Sequence, residues 1–197
     1  GTAFAFDVAR PNDAPRRLTT PFTAGLDLSK FSEPRLVTYS SFDGLEIPAF
    51  LYLPPGYREG TPIPFIVGYH GGPEGQHRPG FDAAFQYFLD RGFGVLKPNV
   101  RGSVGYGREF HQLDNYTKRW DSVRDGVEAA RWLVERGYSA PGRIAAYGGS
   151  YGGFMAVATV IEGGEIYGAS VNIVGIVNFQ TFLEETRGYR PKLREAE

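Results

Sequence analysis

The stretch Ile144-Ala-Ala-Tyr-Gly-Gly-Ser-Tyr-Gly-Gly-Phe-Met-Ala-Val-Ala-Thr-Val160 sets a serine between two segments of different period. Ile144 to Tyr147 is short and apolar, the pattern of a buried strand. Phe154 to Val160 continues as a helix from about Gly152 to Ile161. Four glycines, Gly148, Gly149, Gly152 and Gly153, flank Ser150 and allow a sharp strand-to-helix turn. A serine hydroxyl is a weak nucleophile, so it needs a neighbouring base and donors for the oxyanion it generates. A turn of this kind exposes the hydroxyl and leaves the N–H of the next residue, Tyr151, at a helix start. Ser150 is therefore the candidate nucleophile and Tyr151 a candidate oxyanion donor.

Upstream of the serine the same alternation repeats. Phe65 to Tyr69, Phe93 to Leu96 and Arg143 to Tyr147 read as strands, and Ala169 to Val174 as a further one. Between them, Phe81, Ala84, Phe85, Phe88 and Leu89 share one helical face that closes at Gly92. A second helix, beginning near Asp121, aligns Val123, Val127, Ala130 and Val134. Such β/α alternation predicts an α/β fold with a mainly parallel sheet and helices on both faces. Before it, Leu36–Ser40 and Ile47–Leu53 flank Asp43-Gly44, a hairpin signal. Residues 1–35 differ: Thr2 to Val8 reads as a strand, followed by a connector punctuated by Pro11, Pro15, Pro21 and Pro34.

The turn His70-Gly71-Gly72-Pro73 follows the strand Phe65–Tyr69 directly. In α/β-hydrolases a turn at this point offers a second backbone N–H to the oxyanion. The His70 side chain is expected to orient that turn by a hydrogen bond, and His77 and His111, in polar loops, are expected to face solvent. Arg101 fits a structural salt bridge better than a substrate contact. Asp121 and Asp125 are expected to complement a helix N-terminus.

Four stretches in order resemble the catalytic domain of the prolyl oligopeptidase family of serine peptidases. They are Tyr69-His-Gly-Gly-Pro73, Asn99-Val-Arg-Gly-Ser-Val-Gly-Tyr-Gly107, Ala130-Arg-Trp-Leu133 and Gly148-Gly-Ser-Tyr-Gly-Gly153. The resemblance implies the α/β-hydrolase fold and a peptide substrate. It also implies that residues 1–35 are the end of an N-terminal β-propeller with its linker, and residues 36–197 the first part of the peptidase domain. The motifs are most similar to the acylaminoacyl-peptidase-like branch. Dipeptidyl peptidases usually carry tryptophan where Gly149 stands, and prolyl oligopeptidase itself asparagine where Tyr151 stands. By this comparison Gly72 and Tyr151 supply the oxyanion N–H groups. Phe179 and Phe182 would line the pocket for the residue before the scissile bond, or serve as core aromatics. An esterase or acyl-amino-acid hydrolase, and a non-catalytic binding domain on the same fold, are the alternative readings.

The remaining composition narrows the choice. With a net charge of −1, nucleic acid and acidic membrane surfaces are not expected partners. The chain has no cysteine, so thiolate metal sites and disulfides are excluded. Acidic and histidine residues show no metal-ligand spacing, and no cofactor is expected. Gly102, Gly105 and Gly107 lack the order of a phosphate loop. Asn115-Tyr-Thr117 is a glycosylation triplet by letter only. No apolar run is long enough to span a bilayer, and no signal peptide is visible; the family resemblance implies a cytoplasmic location, with export as the alternative. Oligomeric state is not readable.

A triad in this fold runs Ser, then Asp or Glu, then His. No histidine and no aspartate follows Ser150. The expectation is a C-terminally truncated fragment, cut at both ends, with an open sheet edge. The 197-residue chain alone is accordingly expected to be poorly soluble or partly ordered and to hydrolyse peptides at background rate. Cooperative thermal unfolding together with clear turnover would overturn this.

Overall fold

A computed structural model describes residues 2–20, 22 and 25–186. The chain divides into two compact units, Gly1–Phe31 and Ser32–Glu197.

In the first unit, β1 (Phe4–Ala5) pairs antiparallel with β2 (Arg16–Arg17) through Phe4↔Arg17 and Ala5↔Arg16. The strand expected over Thr2 to Val8 is thus only two residues long. The Asp7 carboxylate accepts the Ala9 N–H at 3.0 Å and the Arg10 guanidinium at 2.9 Å, which turns the chain out of extended geometry.

The second unit is built on one six-stranded sheet. The hairpin β3 (Arg35–Ser40) and β4 (Glu46–Tyr52) turns at Asp43-Gly44 as the sequence predicts. β5 (Phe65–Tyr69), β6 (Gly94–Pro98), β7 (Ile144–Gly149) and β8 (Tyr167–Ile173) complete it in the order β3-β4-β6-β5-β7-β8. The β3–β4 and β4–β6 pairs are antiparallel, and β6–β5–β7–β8 is parallel throughout.

Period-two alternation divides the core between the faces. Phe65, Val67, Leu51, Leu96, Ile144 and Ala146 point to the side covered by α3 (Arg119–Glu135) and α4 (Tyr151–Gly163). Ile66, Val95 and Tyr52 point the other way, onto Phe85 and Leu89 of α1 (Ala83–Asp90). All five residues of β5 and of β6 are buried between two helical layers, Lys97 of β6 included, its ammonium 3.9 Å from the centre of the Phe85 ring. A short helix, α2 (Arg108–His111), follows the Gly-rich loop, and α5 (Phe179–Glu185) follows β8.

One expectation about α1 needs correction. Phe81 is not on its apolar face but precedes it and is exposed, and Ala84 is exposed too. The Asp82 carboxylate caps the helix by accepting the Ala84 and Phe85 N–H groups, so the helix begins after Phe81.

Asp125 also differs from expectation. It lies in the second turn of α3, fully buried, rather than complementing the helix start. Arg101, from the loop after β6, bonds its carboxylate through Nε at 3.0 Å, NH2 at 2.8 Å and the backbone N–H at 2.9 Å. The same guanidinium takes Asp43 of the β3–β4 turn in a two-pronged pair at 2.9 Å. Ser41 donates to Asp125 at 2.5 Å. Arg101 is therefore structural, tying hairpin, loop and helix together. Removing one member of a buried pair strands the other charge, which typically costs about 3–5 kcal/mol. Asp125→Ala is expected to lower unfolding free energy by about that amount in urea titration. Asp43→Ala, whose partner keeps Asp125 and whose own side chain is 41% exposed, is expected to cost about 1 kcal/mol or less.

Candidate active site

β5 and β7 run parallel in register, with Tyr69 opposite Gly148. Their C-terminal ends therefore stop side by side, and the turns that follow them, His70–Gly72 and Gly149–Ser150, become neighbours. Strand order reverses at this point of the sheet, between β5 and β7, where open α/β sheets form their crevice.

Close packing brings the two turns together. A Cβ at Gly152 would collide with the carbonyl oxygens of Tyr69 and, at 2.8 Å, His70. Only glycine lets the first turn of α4 sit on the end of β5. Across the gap, a Cβ at Gly71 would lie 3.5 Å from Ser150 Cβ and 4.0 Å from its Oγ.

Ser150 stands at φ 57°, ψ −123°, a backbone conformation sparsely populated by L residues. Holding such geometry costs on the order of 1–3 kcal/mol. Its N–H bonded to Ile173 O at 3.0 Å, and its carbonyl accepting from Gly153 at 2.9 Å, help to hold it. The side chain is exposed and does not cap α4. The first N–H groups of that helix face no capping side chain and sit at its positive end.

Tyr151 contributes two separable things. Its ring is buried at 2% exposure and anchored, with the hydroxyl 3.1 Å from Ser122 Oγ and the Arg119 guanidinium 5.1 Å from the ring centre. Burial pushes its phenol up to about 12, so it stays neutral. Its backbone N–H lies at the start of α4.

Gly72 and Ser150 line one recess of about 400 Å³, walled by Val174–Asn178, Thr181, Phe182 and Glu185. Of the two aromatic candidates, Phe182 borders this recess. Phe179 instead packs edge-on against Phe154, ring centres 4.9 Å apart.

The histidines are all otherwise engaged. His70 bonds Gly71 O through Nδ1 at 2.9 Å and Ser103 Oγ through Nε2 at 2.8 Å. His77 and His111 do not face solvent as expected; both are half-buried. His111 Nδ1 meets Gly102 O at 3.0 Å. His77 donates Nε2–H to Gly68 O at 2.9 Å and its backbone N–H to Asn99 Oδ1 at 2.6 Å. Asn99 in turn donates to His77 O and to the Tyr106 hydroxyl. Among the described residues no histidine nitrogen bonds Ser150, and no cluster of three metal-ligating side chains occurs. No described helix is long and apolar enough to cross a membrane.

The sequence reading missed Ser103, which ties the Gly-rich loop to His70, and Asn99, which ties it to His77. Both lie in a quoted motif, but the partner of each is distant in sequence.

The prolyl oligopeptidase family model matches residues 79–195, a stretch that includes Ser150, Tyr151 and Phe182. The chain belongs to the prolyl oligopeptidase family. It is 31% identical to prolyl oligopeptidase A of Amanita bisporigera over 193 residues, covering 95% of this chain and 25% of that protein. Among solved structures, a puromycin-hydrolyzing peptidase of Mycobacterium tuberculosis superposes with a TM-score of 0.83 at 29% identity, covering 93% of this chain and 29% of that one. An acylaminoacyl peptidase of Pyrococcus horikoshii superposes with a TM-score of 0.75 at 27% identity, covering 87% of this chain and 28% of that one. The relatives are peptidases, and the chain spans about a quarter of the curated proteins it matches. The turn at Gly72 lies upstream of the matched family segment.

The environment of His77 predicts acid sensitivity. Burial, with the His70 ring edge-on at 5.2 Å and Lys97 nearby, lowers its pKa from 6.5 to about 3. Below pH 6.5 the unfolded chain takes up a proton that the folded chain refuses. Stability is then complete above about pH 6.5 and lost as pH falls toward 3, by about 1.4 kcal/mol per pH unit. Urea unfolding at pH 7 and pH 5 is expected to show this loss in the wild type and a smaller one in His77→Gln.

Proposed function

We propose that this chain carries the nucleophile and oxyanion site of a serine peptidase acting on oligopeptides. Ser150 Oγ attacks the scissile carbonyl and gives its proton to a general base that the described residues do not supply. The carbonyl oxygen, now negative, is held by the N–H groups of Tyr151 and Gly72. The intermediate collapses to an acyl-enzyme on Ser150 with loss of the amine, and water releases the acyl group. Phe182 lines the recess for the side chain before the scissile bond. Residues 1–35 are the end of a propeller and its linker, and residues 36–197 the first part of the hydrolase domain.

The observation that carries this reading is the shared recess: an exposed serine at positive φ, uncoupled from the helix it precedes, opens onto the same space as Gly72. Serine peptidases need a nucleophile and fixed backbone donors that can each come within about 3 Å of one reacting carbonyl, and strained backbone clusters at such sites. Membership of the prolyl oligopeptidase family gives the substrate class its support.

A serine-directed fluorophosphonate is expected to label the whole protein at Ser150, and Ser150→Ala to abolish both labelling and peptide hydrolysis. Labelling that survives the substitution refutes Ser150 as the nucleophile. Comparing an oligopeptide with an aryl ester as substrate separates the peptidase from an esterase, the peptidase turning over both.

A further inference from the structure

Ser103 is 1% exposed and lies in the loop between β6 and α2. Its hydroxyl has two acceptors in reach, His70 Nε2 at 2.8 Å and Val100 O at 2.6 Å. On the far side of the ring, His70 Nδ1 lies 2.9 Å from Gly71 O.

Counting protons assigns the directions. A carbonyl oxygen can only accept, so His70 Nδ1 carries a proton and donates it to Gly71 O. Burial lowers the pKa of His70, so the ring is neutral at neutral pH and has that one proton only. Nε2 is then bare and needs a donor, and the Ser103 hydroxyl is the group within reach. Val100 O is not abandoned by this choice, since the Ser103 backbone N–H donates to it at 3.1 Å. The hydroxyl has one proton for two acceptors: given to Nε2 it leaves the 2.6 Å contact with Val100 O unbridged, and given to Val100 O it leaves the neutral ring with either Nε2 or the Gly71 carbonyl unserved.

The consequence reaches the oxyanion. Gly71 C=O and Gly72 N–H belong to one planar peptide unit and point in opposite directions. Holding Gly71 O against the His70 ring therefore fixes the aim of Gly72 N–H, and Gly72 borders the recess it shares with Ser150. Gly72 at φ 143° has backbone freedom that would otherwise let this peptide rotate. Gly75 keeps the space clear: a Cβ there would strike Gly71 O and come within 2.9 Å of His70 Nδ1.

We propose that Ser103 is a positioning residue for the oxyanion donor: its hydroxyl selects the Nδ1–H tautomer of His70, which through the Gly71 carbonyl aims Gly72 N–H. This rests on the reading of Gly72 as an oxyanion donor. Without the hydroxyl, the Nε2–H tautomer becomes accessible. That form turns a nitrogen lone pair toward Gly71 O, and the peptide is released.

The test uses the whole protein, with enzyme concentration set by fluorophosphonate titration so that misfolded molecules are not counted. Ser103→Ala is expected to lower kcat for an oligopeptide about 10- to 100-fold, somewhat less than the loss of a donor outright, with KM changed less than about threefold. Affinity for a peptide aldehyde, whose adduct carries the oxyanion, is expected to fall in parallel with kcat, while affinity for the product peptide stays put. Ser103→Thr, which keeps the hydroxyl, recovers most of the loss; if it does not fold, the aldehyde-to-product comparison in Ser103→Ala decides alone. In ¹⁵N-histidine spectra, His70, assigned by its loss in His70→Asn, shows the Nδ1–H form in wild type and gains the Nε2–H form in Ser103→Ala. Unchanged kcat in Ser103→Ala, equal losses for aldehyde and product, or an unaltered tautomer overturns the proposal. Because Ser150→Ala is judged by labelling, a failure here leaves the nucleophile assignment standing, and a failure there is recognised separately.

Discussion

The in-register parallel pairing of β5 with β7 is the constraint on which the site depends. Tyr69 opposite Gly148 makes both strands end at one level, so each chain reversal delivers its backbone to the same place. Neither turn could reach the other if the register slipped: one residue of shift would also send the buried faces of both strands to the wrong helical layer. Burial of Phe65, Val67, Ile144 and Ala146 on one side, and of Ile66 on the other, is what forbids the slip. Hydrophobic patterning far from the serine thus sets the distance between Ser150 and the His70–Gly72 turn.

Packing and chemistry are kept on different atoms at this junction. Tyr151 spends its side chain on the core, among Ser122, Phe154 and Arg119, and leaves only its N–H at the mouth of α4. His70 spends both ring nitrogens on holding the loops around it. Ser150 does the reverse: its backbone is pinned by Ile173 and Gly153, while its hydroxyl is not used to cap the helix. A serine is a good helix cap, so declining that bond forgoes stability. The positive φ explains why, because the side chain is turned away from the helix axis that a capping serine would face.

Much of this was legible in the sequence because it is local. A run such as Phe65–Tyr69 carries its own burial signal, and the glycines around Ser150 announce a tight turn without reference to anything distant. The α/β class, the strand positions and the family followed from such runs. The misreadings of His77 and Asp125 share one physical origin, a polar partner distant in sequence. His77 sits between Gln76 and Arg78 in a polar stretch, which suggests exposure, yet Asn99 and the Gly68 carbonyl claim it from across the fold. Asp125 looked like a charge for a helix start, yet Arg101 draws it into the interior. Phe81 fitted the apolar face of α1 by spacing, but one carboxylate at Asp82 set where the helix begins.

Those long-range polar contacts converge on the loop Asn99–Gly107. Asn99 holds the backbone of His77, Arg101 joins Asp43 to Asp125, and Ser103 meets the ring of His70. Each of the three is at most 4% exposed and each reaches a different element. A loop made only of apolar side chains could fill the same volume, but dispersion is non-directional and would not fix a ring's tautomer or a peptide's plane. Hydrogen bonds and bidentate ion pairs have direction. The parallel pair of strands brings the two turns within reach of each other; the buried polar loop beside them is what can fix the orientation of one turn against the other.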